Sequence, residues 1–156
     1  MFISILLSSF FVDRITKDII QEKVRLGSEI RVTSFLNITH TRNRGIIFGL
    51  LSDVKSRKKG ILLNVFSVTA FVILLMFALK LSGSDFYLLS AMLGGAFGNV
   101  YDRITKGYVV DFIDMHISKY HWPSYNFADA VITIGIFFLI VRNLTGVSRT
   151  KESVKR

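Results

Sequence analysis

Two aspartates, Asp111 and Asp129, lie in apolar stretches of this chain, where charge is costly. Asp111 follows Val109-Val110 and precedes Phe112-Ile113, and Asp129 stands before Ala130-Val131-Ile132. An ionisable side chain near hydrocarbon is expensive to bury, so it is a candidate functional residue by default. Two carboxyl groups that meet in such a place share one proton, and a pair of this kind activates water for hydrolysis.

Polar residues with helical spacing accompany both aspartates. Asn99 and Arg103 end the small-residue segment 94–103 and, four residues apart, share one helical face. This face offers an amide and a guanidinium to a carboxylate or a peptide carbonyl. The glycines of the segment, taken alone, favour a simpler interpretation, in which they only allow close helix packing. Asn126 stands three residues before Asp129, a spacing that also predicts helix capping with Asp129 stabilised by the helix dipole. Which aspartate holds the shared proton stays open.

Other candidate residues have simpler interpretations. Asp13 and Lys17 are spaced for an internal ion pair on one helix, or for a substrate-contacting or scaffold role. Asp114 is interpreted either as a second carboxylate of the site or as a solvated or capping residue. His40, His116 and His121 show no metal-binding spacing, so neither a metal nor another cofactor is predicted.

Four predicted transmembrane helices carry most of these residues. The chain has 156 residues, is 51% hydrophobic and contains one proline, which fits long apolar helices in one domain. The predicted spans are 1–20, 60–81, 86–103 and 127–144, within a single domain 1–146 that a polar tail, 147–156, follows. The first stretch lacks the basic start and cleavage site of a signal peptide, so it is interpreted as a retained span. The chain has no cysteine, which excludes disulfides and thiolate chemistry.

Four spans place both termini on one side of the membrane and the loops 21–59 and 104–126 on the other. The polar residues then gather at the loop side, and this follows from the span count alone. They are Asp13, Asn43, Asn99, Asp102, Arg103, Asp111, Asn126 and Asp129. In the first loop, Ile30, Val32, Leu36 and Ile38 fall on alternate positions, with Ser34 as the exception. This pattern predicts a small β-sheet cradle at the membrane surface over about 28–52. The segment around Asp111 is expected to be a loop.

The net charge of +9 is distributed between and after the apolar spans. Anionic lipid headgroups are therefore the expected partner, and nucleic acid is not. Eleven basic residues lie on the loop side and six on the terminal side. The positive-inside rule would thus place the loops in the cytoplasm.

Five segments, in order, resemble the signature blocks of lipoprotein signal peptidase (signal peptidase II). They are Asp13–Lys17, Asn43–Gly49, Gly94–Arg103, Val109–Asp114 and Asn126–Asp129. Ile46-Ile47 is bulkier than the small pair common in the second block. Together the blocks cover about residues 10–140, and five in order are far more specific than any one.

The resemblance implies an all-α membrane protein of four helices with a β-sheet cradle at the extracytoplasmic face of the bacterial inner membrane. It implies an aspartyl endopeptidase that cleaves prolipoproteins before the diacylglyceryl-modified cysteine, with Asp111 and Asp129 as the catalytic pair. Asn99, Arg103 and Asn126 would position substrate, and Asn43, Asp13, Lys17 and Asp102 would support the site. Inhibition by globomycin-type peptides and a monomeric state are expected.

The resemblance also places the loops outside the cytoplasm, against the charge count. We follow the resemblance here, because the charge rule is a statistical bias and five ordered blocks are specific. A proton-linked transporter and a metallohydrolase are the rival interpretations. The transporter predicts carboxylates near the bilayer midplane and often inverted repeats, and no repeat is evident.

Overall fold

Four helices and four strands form the described part of the chain, which covers residues 1–44, 57–80 and 84–145 of a computed structural model. The helices are α1 (Phe2–Lys23), α2 (Arg57–Ala78), α3 (Ser84–Lys106) and α4 (Phe127–Thr145). The strands are β1 (Glu29–Arg31), β2 (Leu36–Asn43), β3 (Val109–Ile117) and β4 (Tyr120–His121). The mostly helical fold with a small antiparallel sheet is confirmed, and each helix occupies a segment predicted as a span. The predicted tail lies outside the described residues.

Helix α3 is the centre of the helical layer, and α1, α2 and α4 each pack against it. Its glycines allow this close approach, as the packing-seam interpretation predicts. A Cβ atom on Gly94 would lie 2.2 Å from the Leu6 carbonyl oxygen of α1. A Cβ atom on Gly95 would lie 3.0 Å from the Ala128 Cα of α4. Any larger residue at these positions would separate the helices that carry the candidate site.

The helices pack through a narrow apolar core and leave large apolar side chains on their outer faces. The core contains Ala78, Leu89, Met92 and Leu93, all almost fully buried. On α4, residues 136–138 are about half exposed although all three are Ile or Phe. By length and composition, α4 is the one described helix that passes a strict test for crossing a membrane. That α1, α2 and α3 also span a membrane stays a prediction.

The four strands form one antiparallel sheet in the order β1-β2-β3-β4. Strands β1 and β2 lie within the predicted cradle at 28–52, while residues 45–52 of that range fall outside the described part. The expectation of a loop around Asp111 is wrong, because residues 109–117 form β3 and pair with β2. On one face of β3, Val110 and Phe112 pack against Ile20 and Val24 at the end of α1. This packing anchors the sheet to the helical layer.

An irregularity in the β2–β3 pairing lies next to Asp111. Ile38 pairs with Ile113, but three residues later Thr41 pairs with Asp111, so β2 carries one extra residue. A β-bulge of this kind redirects side chains and is common beside functional sites. Beyond the bulge, Asn43 pairs with Val109, which places its side chain diagonally across from Asp111.

Candidate active site

Asp129 lies in the first turn of α4 and forms a reciprocal cap with Asn126. The Asp129 backbone N–H donates to Asn126 Oδ1 at 3.1 Å. In return, the Asn126 backbone N–H donates to Asp129 Oδ2 at 3.4 Å. This is the geometry of a capping box, with aspartate in the place of the usual glutamate. The capping interpretation of the sequence is therefore confirmed, and the cap holds the Asp129 carboxylate in place.

Asp111 points from β3 into the same site and accepts two amide hydrogen bonds. Asn43 Nδ2 donates to Asp111 Oδ2 at 2.9 Å, and Asn126 Nδ2 donates to Asp111 Oδ1 at 2.7 Å. Thr41, opposite Asp111 in the sheet, donates its hydroxyl to the Asp111 carbonyl oxygen at 3.2 Å. The strand pairing and the two amides together fix both the backbone and the carboxyl group of Asp111.

Asn126 links the two aspartates through its two amide atoms. Its oxygen caps the Asp129 N–H and its nitrogen donates to Asp111, and it is completely buried. Asn99 completes the arrangement from α3, because its Nδ2 donates to Asp129 Oδ1 at 2.8 Å. The structure thus brings three of the predicted site residues, Asn43, Asn99 and Asn126, around one pair of carboxyl groups.

Burial sets the protonation state of Asp111. The residue is only 2% exposed, and this desolvation, together with the negative charge of Asp129, raises the pKa of Asp111 from 3.8 to about 7. The amide donors Asn43 and Asn126 oppose the rise only in part. Below pH 7 Asp111 is therefore the natural holder of a proton in the pair, and it can act as a general acid.

The two carboxyl groups open onto a cavity of about 1140 Å³. Its polar end is lined by Asn43, Asn99, Arg103, Asp111, Asp129 and Thr133, and its apolar part by side chains that include Phe35, Trp122, Tyr125 and Ile134. Among the described residues, the Arg103 guanidinium has no ion-pair partner within 4.0 Å, although it interacts electrostatically with both aspartates. A cation so placed can hold a polar group of a bound ligand beside the pair.

Three further predicted residues lie behind the cavity rather than in its wall. Asp13, Lys17 and Asp102 are completely buried between α1 and α3. Lys17 Nζ lies 2.7 Å from Asp13 Oδ2 and 3.2 Å from Asp102 Oδ2, and it donates to Asn99 Oδ1 at 2.8 Å. Asp13 also accepts the Ala128 N–H of the first turn of α4 at 3.2 Å. Their hydrogen bonds therefore reach the aspartate pair only through other protein groups, while the charge of Lys17 also acts on both aspartates.

Asp114 is neither a solvated residue nor a helix cap, so that interpretation is wrong. It is 5% exposed, because β2 and β4 cover it on the face of β3 opposite Asp111. Asn37 Nδ2 donates to its Oδ2 at 3.0 Å, and His121 Nδ1 lies 2.9 Å from its Oδ1. Asp114 therefore joins three strands of the sheet and takes no part in the aspartate pair.

The histidines have structural partners. His40 Nδ1 lies 2.8 Å from the Val24 carbonyl oxygen, and the rings of His116 and His121 stack with centroids 4.8 Å apart. Within residues 1–44, 57–80 and 84–145, no group of three or more candidate ligands is arranged to hold a metal ion.

Sequence reasoning missed Arg14, Thr41 and Thr133. Arg14 forms a short contact with Asp102, which besides Lys17 also has Lys106 as a neighbour at 3.3 Å. The four-residue spacing of Asp102 and Lys106 was visible in the sequence, but the Arg14 contact joins two helices. Thr41 and Thr133 lie in elements whose relation to the aspartates depends on the β2–β3 pairing and on the rotation of α4.

Comparisons with known proteins agree with this arrangement. The family model described as signal peptidase (SPase) II matches residues 5–145. The lipoprotein signal peptidase of Aquifex aeolicus (strain VF5) is 39% identical over 158 residues, covering 100% of this chain and 93% of its own. That of Francisella tularensis subsp. novicida (strain U112) is 37% identical over 135 residues, covering 85% of this chain and 84% of its own.

Solved structures give the same result. Two structures, each described as a bacterial membrane enzyme determined by the in meso method, superimpose with TM-scores of 0.78 and 0.77. The first is 33% identical and covers 97% of this chain and 92% of its own, and the second is 31% identical and covers 92% of each chain. Because the family model spans nearly the whole described chain and the relatives are similar over most of their length, this chain belongs to the signal peptidase II family.

Proposed function

We propose that this protein is an aspartyl endopeptidase that removes the signal peptide from diacylglyceryl-modified prolipoproteins, cleaving before the lipidated cysteine. The observation that carries the proposal is the pair Asp111 and Asp129, joined through Asn126 at one end of a large and mainly apolar cavity. Family membership supplies the substrate class, and the pair supplies a means of hydrolysis that needs no metal ion.

The two carboxyl groups take different roles in the proposed reaction. Asp129, ionised and held at the N-terminus of α4, accepts a proton from water, whose oxygen attacks the scissile carbonyl carbon. Asp111, whose pKa is about 7, donates its proton to the carbonyl oxygen. The tetrahedral intermediate then collapses: the C–N bond breaks, the amine takes the proton from Asp129, and Asp111 recovers its own from the hydroxyl. General acid–base terms of this kind contribute roughly 10²–10⁴-fold each.

Arg103 and Asn99 are proposed to hold the substrate in register with this pair. Arg103 lines the cavity and its guanidinium offers planar, paired donors to a peptide carbonyl. Asn99 holds Asp129 from the opposite side and also lines the cavity. The apolar side chains beyond them suit the acyl chains or the apolar residues of a signal peptide.

The proposed setting is the bacterial cytoplasmic membrane, with all four helices spanning it and the sheet at the extracytoplasmic surface. The half-exposed apolar face of α4 supports lipid contact, and the candidate site lies at the end of the helices where the sheet packs. A reporter fused after Arg156 should therefore stay in the cytoplasm. Its appearance outside would overturn the proposed orientation.

The direct test is cleavage of a purified diacylglyceryl prolipoprotein by the purified protein in detergent or lipid. Asp111→Asn and Asp129→Asn should each abolish turnover while the protein stays folded. Asp114→Asn is the matched control, because Asp114 is a buried aspartate on the same strand that does not contact the pair. It should retain much of the activity.

Two results would contradict the proposal. Substantial turnover in either Asp111→Asn or Asp129→Asn would exclude the aspartate pair as the catalytic groups. Equal cleavage of the prolipoprotein without its diacylglyceryl group would exclude the proposed substrate class. A globomycin-type cyclic peptide should inhibit the wild-type protein in the same assay.

A further inference from the structure

The completely buried ammonium of Lys17 has a role in the site that an ion pair between helices does not explain. Lys17 is 0% exposed, and its Nζ has three oxygen neighbours, from Asp13, Asp102 and Asn99. Two of these are carboxylates, which balance its charge. The third is the side-chain oxygen of Asn99, whose nitrogen is hydrogen bonded to Asp129.

We propose that Lys17 is a positioning residue whose ammonium fixes the orientation of the Asn99 amide, so that Asn99 always presents its nitrogen to Asp129. This inference rests on the proposed function, because it assigns a role in the same reaction. Lys17 itself does not line the cavity, so it does not touch the substrate. Its hydrogen bond reaches the pair through Asn99, whereas its charge also attracts both aspartates directly, and a double-mutant cycle separates the two effects.

The chemistry of the donors carries the inference. A lysine ammonium has three donors and no acceptor, so the group that faces it must be an acceptor. Asn99 must therefore turn its Oδ1 toward Lys17, and its Nδ2 then lies 2.8 Å from Asp129 Oδ1. Without the ammonium, Asn99 Oδ1 would lose its charged donor and keep only the longer hydrogen bond of 3.3 Å from Asn126 Nδ2, so the amide would be held less firmly against Asp129.

The backbone N–H of Asp129, which can only donate, fixes the side-chain amide of Asn126 in the same way. The Asp129 backbone N–H requires the oxygen of Asn126, so Asn126 Nδ2 must face Asp111 Oδ1 and Asn99 Oδ1, at 2.7 and 3.3 Å. The two amides are thus oriented from opposite ends of one hydrogen-bonded chain, by an ammonium at one end and a backbone N–H at the other. Both carboxyl groups receive N–H donors as a result.

The test is a double-mutant cycle in the prolipoprotein cleavage assay. The first variant is Lys17→Met combined with Asp13→Asn, which removes one positive and one negative charge and leaves Asp102 with Arg14 and Lys106. The second is Asn99→Leu, and the third combines all three substitutions. The first and second variants should each lower kcat about 10- to 100-fold, because each loses one hydrogen bond to a charged group. Their KM should stay within about threefold of the wild-type value.

If Lys17 acts through Asn99, the combined variant should be no slower than Asn99→Leu alone. Multiplication of the two losses, to about 10²–10⁴-fold, would show that Lys17 acts independently of Asn99 and would overturn the inference. A fall in kcat/KM that comes wholly from KM would also overturn it. Lys17→Arg is the second variant if the first fails to fold, because it keeps the charge but changes the length and geometry of the donor group. Any loss of kcat that it causes should again not add to the loss in Asn99→Leu.

Arg142→Met is the matched structural control. Arg142 also joins two helices through a carboxylate, Asp85 of α3, but Asp85 lies fourteen residues before Asn99, about 21 Å along the helix. Arg142→Met should therefore lower thermal stability without changing kcat or KM. Failure of the wild-type protein to cleave would refute the proposed function, whereas a cleaving wild type with additive losses would refute only the role of Lys17.

Discussion

Replacing Asp111 with asparagine should stabilise the protein at alkaline pH while it destroys activity. The wild-type carboxyl group is 2% exposed, and burial raises its pKa from 3.8 to about 7. Above pH 7 the folded protein must therefore hold a buried negative charge beside Asp129, whereas the unfolded chain ionises Asp111 freely in water. Asparagine has nearly the same shape and cannot ionise, so it does not carry this cost.

The magnitude follows from linkage between folding and protonation. Below about pH 4 Asp111 is protonated in both the folded and the unfolded protein, so it does not change the free energy of unfolding. Between pH 4 and 7 the unfolded chain alone loses the proton, and stability falls by about 1.4 kcal/mol per pH unit. The full cost above pH 7 is about 4 kcal/mol. Between pH 5 and pH 8 the wild type should therefore lose about 3 kcal/mol more than Asp111→Asn does.

Comparing two pH values removes the part of the change in the free energy of unfolding that does not depend on pH. An asparagine at position 111 brings an amide nitrogen where Asn43 Nδ2 or Asn126 Nδ2 now donates, and this mismatch costs about 1–3 kcal/mol at every pH. Thermal unfolding in one detergent, measured at pH 5 and pH 8, isolates the pH-dependent part. For a chain of this size, 3 kcal/mol corresponds to about 6–12 °C in Tm.

Asp114→Asn should behave in the opposite way. Asp114 is as deeply buried, but its carboxylate is used by Asn37 and His121, so the substitution should lower Tm at both pH values. The reasoning about Asp111 is refuted if its asparagine variant and the wild type lose the same stability between pH 5 and pH 8.

Three further outcomes follow from the same geometry. The kcat of the wild type should fall above about pH 7, where Asp111 loses the proton that it donates; a rate that stays level to pH 9 would contradict its role as the acid. Gly98→Ala should lower both stability and activity, because its Cβ atom would lie 2.2 Å from Asp13 Oδ2; unchanged unfolding would show that α1 moves aside without cost. Asn126→Ser should be about 1 kcal/mol more stable than Asn126→Ala, because serine still caps the Asp129 N–H, yet both should lose activity equally, since neither reaches Asp111.

The parts of the site that depend on helical spacing could be predicted from the sequence. Asn99 and Arg103 share one face of α3 and both line the cavity, as their four-residue spacing predicts. Asn126 and Asp129 form the predicted cap. Helix periodicity is a local property, so residues three or four apart face the same way whatever lies around the helix. Their gathering with Asp111 also followed from the order of the apolar spans.

The sheet could be predicted only in part, because it depends on pairing between distant segments. Alternating apolar residues indicate the strands near Ile30 and Ile38, although Ile30 stays about half exposed and the buried positions of β2 include the polar residues Asn37 and Thr39. Residues 109–112 are buried on both faces, so they lack this alternation and were interpreted as a loop. Their strand forms because they pair with β2, about seventy residues earlier in the chain. The same pairing buries Asp114, which no local pattern could show.

The cap at the start of α4 resolves the two interpretations of Asp129 into one. A capping residue and a catalytic residue seemed to be alternatives, because each explains a carboxylate in the first turn of a helix. In the structure the Asp129 N–H donates to the oxygen of Asn126, which leaves the Asn126 nitrogen to face Asp111 and Asn99. The cap is therefore the device that orients the amide between the two carboxyl groups. The stability of the helix terminus and the geometry of the proposed reaction therefore share one side chain, whose oxygen serves the cap and whose nitrogen serves Asp111.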